Sequence, residues 1–107
     1  MQYCLVLCTC PDPAVARTLA EGLVAERRAT CVNIIPGLVS VYPWEGTIET
    51  AEECLLLAKT EADAFEAVES FLKDRHPYEL PEIIAVPVGG GSAAYLDWIT
   101  EWLHPKS

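Results

Sequence analysis

The distribution of apolar and polar residues over positions 31–59 predicts one long β-hairpin. Its first half is rich in β-branched and aromatic residues, which favour strands. Its second half is polar over 47–53 and becomes apolar over 55–58. Glu45-Gly46 lies between the halves and indicates a turn, because glycine adopts positive φ without a steric penalty. Proline cannot donate a ladder hydrogen bond, so Pro36-Gly37 predicts a bulge or a bend in the first strand.

This hairpin is too long to be covered by a single small sheet. Strands usually contain three to ten residues, which corresponds to roughly 10–33 Å. We therefore expect the overhanging part of the hairpin to pair with another copy of the same chain.

The segments on either side of the hairpin predict two further strands and three helices. Short apolar runs predict buried strands over 3–9 and 83–88. Asp12-Pro13 favours a helix start, because aspartate caps free amides and proline suits the first helical position. Thr60, with Asp63 three residues later, predicts the cap of a second helix. Ser92 follows a glycine-rich turn and predicts the cap of a last helix with an apolar face.

The order of these elements is β-α-β-β-α-β followed by a helix. This order is typical of the ferredoxin-like, split βαβ arrangement, an α+β fold with an antiparallel sheet and two helices on one face. A chain of 107 residues fits a single domain spanning 1–107. The second sheet face would expose a large apolar area unless it were covered, which again favours a homo-oligomer.

Composition and motifs argue against several functional classes. The net charge of −9 opposes nucleic-acid phosphates as the main partner. RNA-binding modules share the order of elements, but their strands carry aromatic residues next to basic ones. The strands predicted for this chain are aliphatic instead. The G-x-S-x-G and H-E-x-x-H patterns are absent, so we expect no enzyme. Neither a signal sequence nor a bilayer-spanning segment is visible, which predicts a cytoplasmic protein without membrane contact and with free thiols.

Two polar clusters are candidates for binding chemistry. Cys8 and Cys10 end the first strand on one face, shared with Cys4, and thiolates select soft ions such as Cu(I) or Zn(II). Residues two apart on a strand are separated by roughly 6.6 Å, so their sulfur atoms converge only if the chain bends at Pro11. The alternative is that these cysteines are buried structural residues. The second cluster is the segment 76–82, His-Pro-Tyr-Glu-Leu-Pro-Glu, whose alternative interpretation is a helix-ending turn capped by His76.

Several motifs resemble those of the CutA family of divalent-cation-tolerance proteins. The most specific are the I-P-G…Y-x-W-E-G hairpin over 35–46 and the H-P-Y-x-x-P-E segment over 76–82. Further matching segments, spread in order over nearly the whole chain, lie at 7–12, 29–37, 57–60 and 95–98.

This resemblance implies a ferredoxin-like fold, a tight homotrimer and the binding of copper or another divalent metal in metal tolerance. It places the family's metal-ligating cysteine at Cys8 and the second of two adjacent histidines at His76. The first of these histidines falls on Arg75, whose guanidinium stays protonated and cannot ligate a metal. We therefore expect Cys8 as the first ligand to copper or zinc, Cys10 as its helper, and His76 as a separate or bridging ligand between subunits.

The implied trimer is also similar to PII-like signalling proteins, which bind effectors in clefts between subunits. The alternative function is therefore a trimeric signalling protein with a small-molecule effector. In that case we expect Lys59, His76, Tyr78 and Glu82 to line a cleft between subunits.

Overall fold

The computed structural model describes residues 2–106, which form an α+β fold with four strands and three helices among these residues. The strands are β1 (Tyr3–Cys10), β2 (Cys31–Trp44), β3 (Thr47–Glu61) and β4 (Ile84–Pro87). The helices are α1 (Pro13–Ala25), α2 (Phe65–Arg75) and α3 (Ala93–Leu103). All pairings are antiparallel, and the strand order is β2-β3-β1-β4. The predicted split βαβ order of elements is confirmed.

The core lies between one face of the sheet and the helices α1 and α2. Successive side chains on a strand point to opposite faces, and the even-numbered residues of β1 and of the second half of β3 are those in the core. The buried core residues on these strands are Cys4, Val6, Cys8, Cys10, Cys54, Leu56 and Ala58. The helices contribute Ala16, Leu19, Ala20, Leu23, Val68, Phe71 and Leu72. Two of the three sulfur atoms on β1 therefore lie at its C-terminal end, facing the helices.

The predicted start of the first helix is confirmed, but that of the second is wrong. The side chain of Asp12 accepts a hydrogen bond from the backbone N–H of Val15 at 2.9 Å. Thr60, in contrast, belongs to β3, and its buried hydroxyl donates to the carbonyl oxygen of Arg28 at 2.8 Å. A short 3₁₀ turn over 62–64 then separates β3 from α2. The hydroxyl of Thr60 is thus used to connect the strand to the chain after α1.

The hairpin formed by β2 and β3 has the predicted turn and the predicted bulge. Glu45 and Gly46 both have positive φ, 49° and 81°, as a two-residue turn between twisted strands requires. The register shifts between Ile35 and Leu38, where Pro36 and Gly37 form the bulge. Because β1 pairs with β3 only from residue 54 onwards, the hairpin projects beyond the rest of the sheet. The molecule consequently measures 50 × 26 × 22 Å.

The sheet face opposite α1 and α2, which we term the open face, carries an extended apolar surface. Directly paired residues share a face, so the register identifies its members across all four strands. Its apolar residues are Leu5, Leu7, Ile35, Leu55, Leu57, Ile84 and Val86. The prediction that the last strand is buried is wrong, since Ile84 is 52% exposed and Val86 is 38% exposed. The strand has the expected apolar sequence, but no other part of residues 2–106 covers it.

Helix α3 also leaves apolar side chains uncovered. Ile99 is its one buried residue, whereas Tyr95 and Trp98 are exposed. The helix is held to the rest of the chain by Trp102, which donates to the carbonyl oxygen of Val24 at 2.8 Å, and by Thr30, which donates to that of Ile99. Among residues 2–106, no helix is both long enough and apolar enough to cross a membrane.

Candidate metal site

The C-terminal end of β1 and the residue that follows α2 bring three potential metal ligands together. Cys8, Cys10 and His76 offer two sulfur atoms and one ring nitrogen, which all lie within 4.8 Å of one another. All three side chains are buried, with exposures of 1%, 0% and 8%. The chain bends at Pro11 and Asp12, directly after β1, as the sequence required for the two sulfur atoms to converge.

His76 is held by hydrogen bonds to both of its ring nitrogen atoms. Its Nδ1 accepts the backbone N–H of Tyr78 at 3.1 Å, so the ring proton is on Nε2 and is donated to the carbonyl oxygen of Thr9 at 2.7 Å. Thr9 lies between the two cysteines on β1. The backbone amide of His76 also closes the last turn of α2 by donating to Leu72, so the predicted role as a C-terminal cap and the position beside the thiols coexist.

The two cysteines influence each other's ionisation. Once one of them is a thiolate, the S–H of the other can donate to it. This hydrogen bond lowers the pKa of the Cys10 thiol and raises the pKa of the Cys8 thiol, which burial raises further. The carboxylates of Glu53 and Glu82 add to the increase at Cys8. Cys10 is therefore the more acidic thiol, although the sequence analysis gave the leading role to Cys8.

A second pair of side chains lies beside His76 and was only half anticipated. The hydroxyl of Tyr78 donates to Oε2 of Glu53 at 2.7 Å, and the ring of Tyr78 lies 4.7 Å from that of His76 between centroids. Burial and this hydrogen bond both raise the pKa of Tyr78. Glu53 was not predicted as a site residue, because it belongs to a polar stretch of the hairpin whose sequence indicates exposure to solvent. The pairing register of β3 is what places it next to the segment after α2.

The donor set suits a soft or borderline metal ion. Thiolate and imidazole ligands are characteristic of zinc and of Cu(I). Sulfur ligands around a tetrahedral zinc ion at ~2.3 Å are roughly 3.7 Å apart, so the three donors need to contract by about 1 Å at most. One hydrogen bond of His76 must also break, because a coordinating nitrogen cannot keep its present partner.

Arg75 and Lys59 take no part in this cluster. The guanidinium of Arg75 binds Oε2 of Glu26 at 2.7 Å and lies 4.0 Å from the ring centre of Phe71. Arg75 therefore stabilises the contact between α1 and α2 at the position where the resemblance expects a histidine.

Lys59 lies on the open face, opposite Leu5 in the register, and donates to the hydroxyl of Tyr95 at 3.3 Å. It is six positions along β3 from Glu53, or roughly 20 Å. One chain by itself thus brings Tyr78 close to His76, and Glu82 close enough to act on Cys8, but leaves Lys59 apart from them.

Comparison with known proteins assigns a family to this arrangement. The family model described as CutA1 divalent ion tolerance protein matches residues 4–102. The chain belongs to the CutA1 family. The divalent-cation tolerance protein CutA of Thermus thermophilus is 50% identical over 97 residues, which cover 91% of this chain and 94% of that protein. The CutA protein of Pectobacterium atrosepticum is 42% identical over 100 residues, covering 94% and 91%.

Solved structures of CutA1 family members have the same fold. The crystal structure of CutA from Xylella fastidiosa superimposes with a TM-score of 0.94 at 44% identity, covering 97% of this chain and 100% of that chain. A protein from Archaeoglobus fulgidus, described as the periplasmic divalent cation tolerance protein CutA, gives a TM-score of 0.93 at 35% identity, covering 95% and 99%. Since that relative is described as periplasmic, the cytoplasmic location expected for this chain stays a prediction.

Proposed function

We propose that this CutA1 family protein binds copper or zinc through Cys8, Cys10 and His76 and contributes to divalent-cation tolerance without catalysing a reaction. The observation that carries the proposal is the convergence of two buried thiols and a buried imidazole, whose ligand atoms lie within 4.8 Å of one another. Relatives named divalent-cation tolerance proteins support a role in handling such ions.

The chemistry of the ligands indicates which ions the pocket favours. Thiolates prefer soft ions, and the affinity for divalent first-row metals rises towards copper. The side chain of Arg75 supplies no metal-ligating atom, so the cluster offers two sulfur ligands and one nitrogen ligand. We therefore expect Zn(II) and Cu(I) to bind more tightly than Mg²⁺ or Ca²⁺, which prefer oxygen ligands.

We further propose that the protein acts as a homotrimer. The apolar open face and the projecting hairpin both lack a cover within residues 2–106, and a large uncovered apolar surface is typical of an interface. Light scattering at low micromolar concentration measures the mass of the assembly. Three times the 11.7 kDa of one chain is expected, and a stable monomer would be incompatible with the proposal.

The metal proposal is tested by titrating the reduced protein with zinc and with Cu(I) in competition with a chelator. Loss of one ligand by Cys8→Ser, Cys10→Ser or His76→Ala should weaken binding by at least about tenfold, since even residues that only orient ligands contribute 10–100-fold. Cys31→Ser is the matched control, because Cys31 is opposite Lys59 on the open face, away from the pocket. Parent-like affinity in all three ligand variants would show that these residues are structural.

The alternative, a PII-like signalling protein with a small-molecule effector, is favoured by the position of Lys59. This residue is on the open face, so in a trimer it would lie at or near a subunit boundary. A second copy is then required to bring it towards Tyr78 and Glu82. A thermal-shift screen with nucleotides and small anions distinguishes the two functions, because stabilisation by such a ligand but not by metal supports the alternative.

A further inference from the structure

Cys54 is a buried free thiol that the three-ligand pocket does not use. It is 3% exposed and faces the core from β3. In the antiparallel pairing of β1 with β3 it is the direct partner of Cys10. The structure thus places a third buried thiol directly opposite Cys10, one of the two thiols gathered with His76.

The register makes the distance between Cys10 and Cys54 short. Side chains of directly opposite residues have Cβ atoms about 4.5–5.5 Å apart. Two sulfur ligands of one tetrahedral zinc ion are roughly 3.7 Å apart, which lies within reach of side chains so placed. In the present conformation the sulfur of Cys54 does not lie within 4.8 Å of all three other donors. Coordination by Cys54 therefore requires its side chain to turn towards them.

The burial of these side chains also favours a closed site. A site with three protein ligands normally holds water in the fourth position and keeps that position open. Here all four side chains are nearly inaccessible, with exposures of 1%, 0%, 3% and 8% for Cys8, Cys10, Cys54 and His76. Closed sites with four protein ligands, including three cysteines and one histidine, are the structural type for zinc.

We propose that Cys54 is the fourth ligand, so that Cys8, Cys10, Cys54 and His76 form a closed tetrahedral site for Zn(II) or Cu(I). This inference rests on the proposed function, because it concerns the same pocket. It adds a ligand that is absent from the candidates chosen from the sequence, and it specifies a sulfur-rich site in place of an open one.

X-ray absorption spectroscopy of the protein loaded with one equivalent of zinc counts the sulfur atoms around the metal. The parent protein should show three sulfur ligands and one nitrogen. Cys54→Ser should show two sulfur ligands and bind zinc at least about tenfold more weakly in chelator competition. Cys31→Ser, which changes a thiol on the open face, should keep three sulfur ligands and the parent affinity.

The outcomes separate this inference from the proposed function. Tight zinc binding by the parent with only two sulfur ligands would overturn the role of Cys54 and leave the three-ligand site intact. Absence of tight binding of both zinc and Cu(I) by the parent would overturn both. The sulfur count of the parent decides the question even if Cys54→Ser does not fold.

Discussion

Removing the hydroxyl of Tyr78 tests whether the structure around the candidate metal site is correctly described. In Tyr78→Phe the aromatic ring remains, and only the donor to Oε2 of Glu53, at 2.7 Å, is lost. Glu53 is 7% exposed, so water cannot fully replace this donor. Tyr78 is also the one side chain among residues 2–106 that donates to this carboxylate. The substitution therefore leaves a buried carboxylate without its partner.

The expected loss follows from the type of hydrogen bond. Hydrogen bonds to charged groups contribute about 1.5–3 kcal/mol, and an unpaired buried charged group adds a desolvation penalty. We expect Tyr78→Phe to lower the free energy of unfolding by about 2 kcal/mol. Because the ring of Tyr78 packs beside His76, the same variant should also weaken metal binding, since loss of supporting residues typically reduces affinity 10–100-fold.

Urea unfolding followed by circular dichroism measures the first effect. All variants must be compared at one protein concentration, because the stability of an oligomer depends on it. Tyr42→Phe is the comparison, since the hydroxyl of Tyr42 makes no hydrogen bond among residues 2–106 and its removal should lower stability less than removal of the Tyr78 hydroxyl. If Tyr78→Phe lowers the free energy of unfolding as little as Tyr42→Phe does, the carboxylate of Glu53 is solvated and its hydrogen bond to Tyr78 does not stabilise the fold.

Four further effects can be measured on the same proteins. Because the pKa of Tyr78 is raised in the folded protein, the unfolded chain loses the phenol proton first as the pH rises above ~10. The parent should therefore lose its higher free energy of unfolding relative to Tyr78→Phe in that range. A difference in unfolding free energy that stays constant up to about pH 11 would contradict this. Asp12→Ala removes the cap of α1 and should lower the unfolding free energy by about 1 kcal/mol, against no change for Asp63→Ala. Thr60→Val leaves the carbonyl of Arg28 without its donor and should lower the unfolding free energy by roughly 1–3 kcal/mol. If Thr60 were instead a helix cap, Thr60→Asp would keep the stability of the parent. Gly46→Ala forces a side chain into positive φ and should lower it by about 1–2 kcal/mol, while Gly46→Asn should lower it less.

Much of the fold could be predicted because its signals are local. The turn at Glu45-Gly46 and the bulge at Pro36-Gly37 follow from the conformations that these residues favour. The cap at Asp12 follows from its position before a proline. Thr60 has an equally good local signal for a cap, but its hydroxyl bonds to the segment after α1, a tertiary contact that no local pattern contains. The exposure of β4 likewise depends on what covers the sheet.

The candidate site could be predicted only in part, for a related reason. Cys8, Cys10 and His76 stand out as thiols at a strand end and an imidazole between a helix and a proline. Glu53 and Cys54 become part of the same region only through the pairing of β1 with β3. The sequence suggests these pairings but does not determine their register, so neighbours across strands remained hidden.

The bulge in β2 connects the projecting hairpin to the candidate site. From Ile35 to Leu38 the chain advances three residues, while its partner strand advances two, from Leu55 to Glu53. A one-residue slip moves every later side chain to the other face of a sheet. The bulge therefore places the later even-numbered residues of β2, such as Tyr42, on the open face with Glu53.

The hairpin also begins to project at the site itself. Cys10 is the last residue of β1 and pairs with Cys54, so Glu53 is the first residue of β3 without a partner on β1. Tyr78 covers Glu53 in place of a strand and contacts His76 on its other side. Tyr78 therefore joins the first residue of the projecting hairpin to one of the three candidate metal ligands within a single chain.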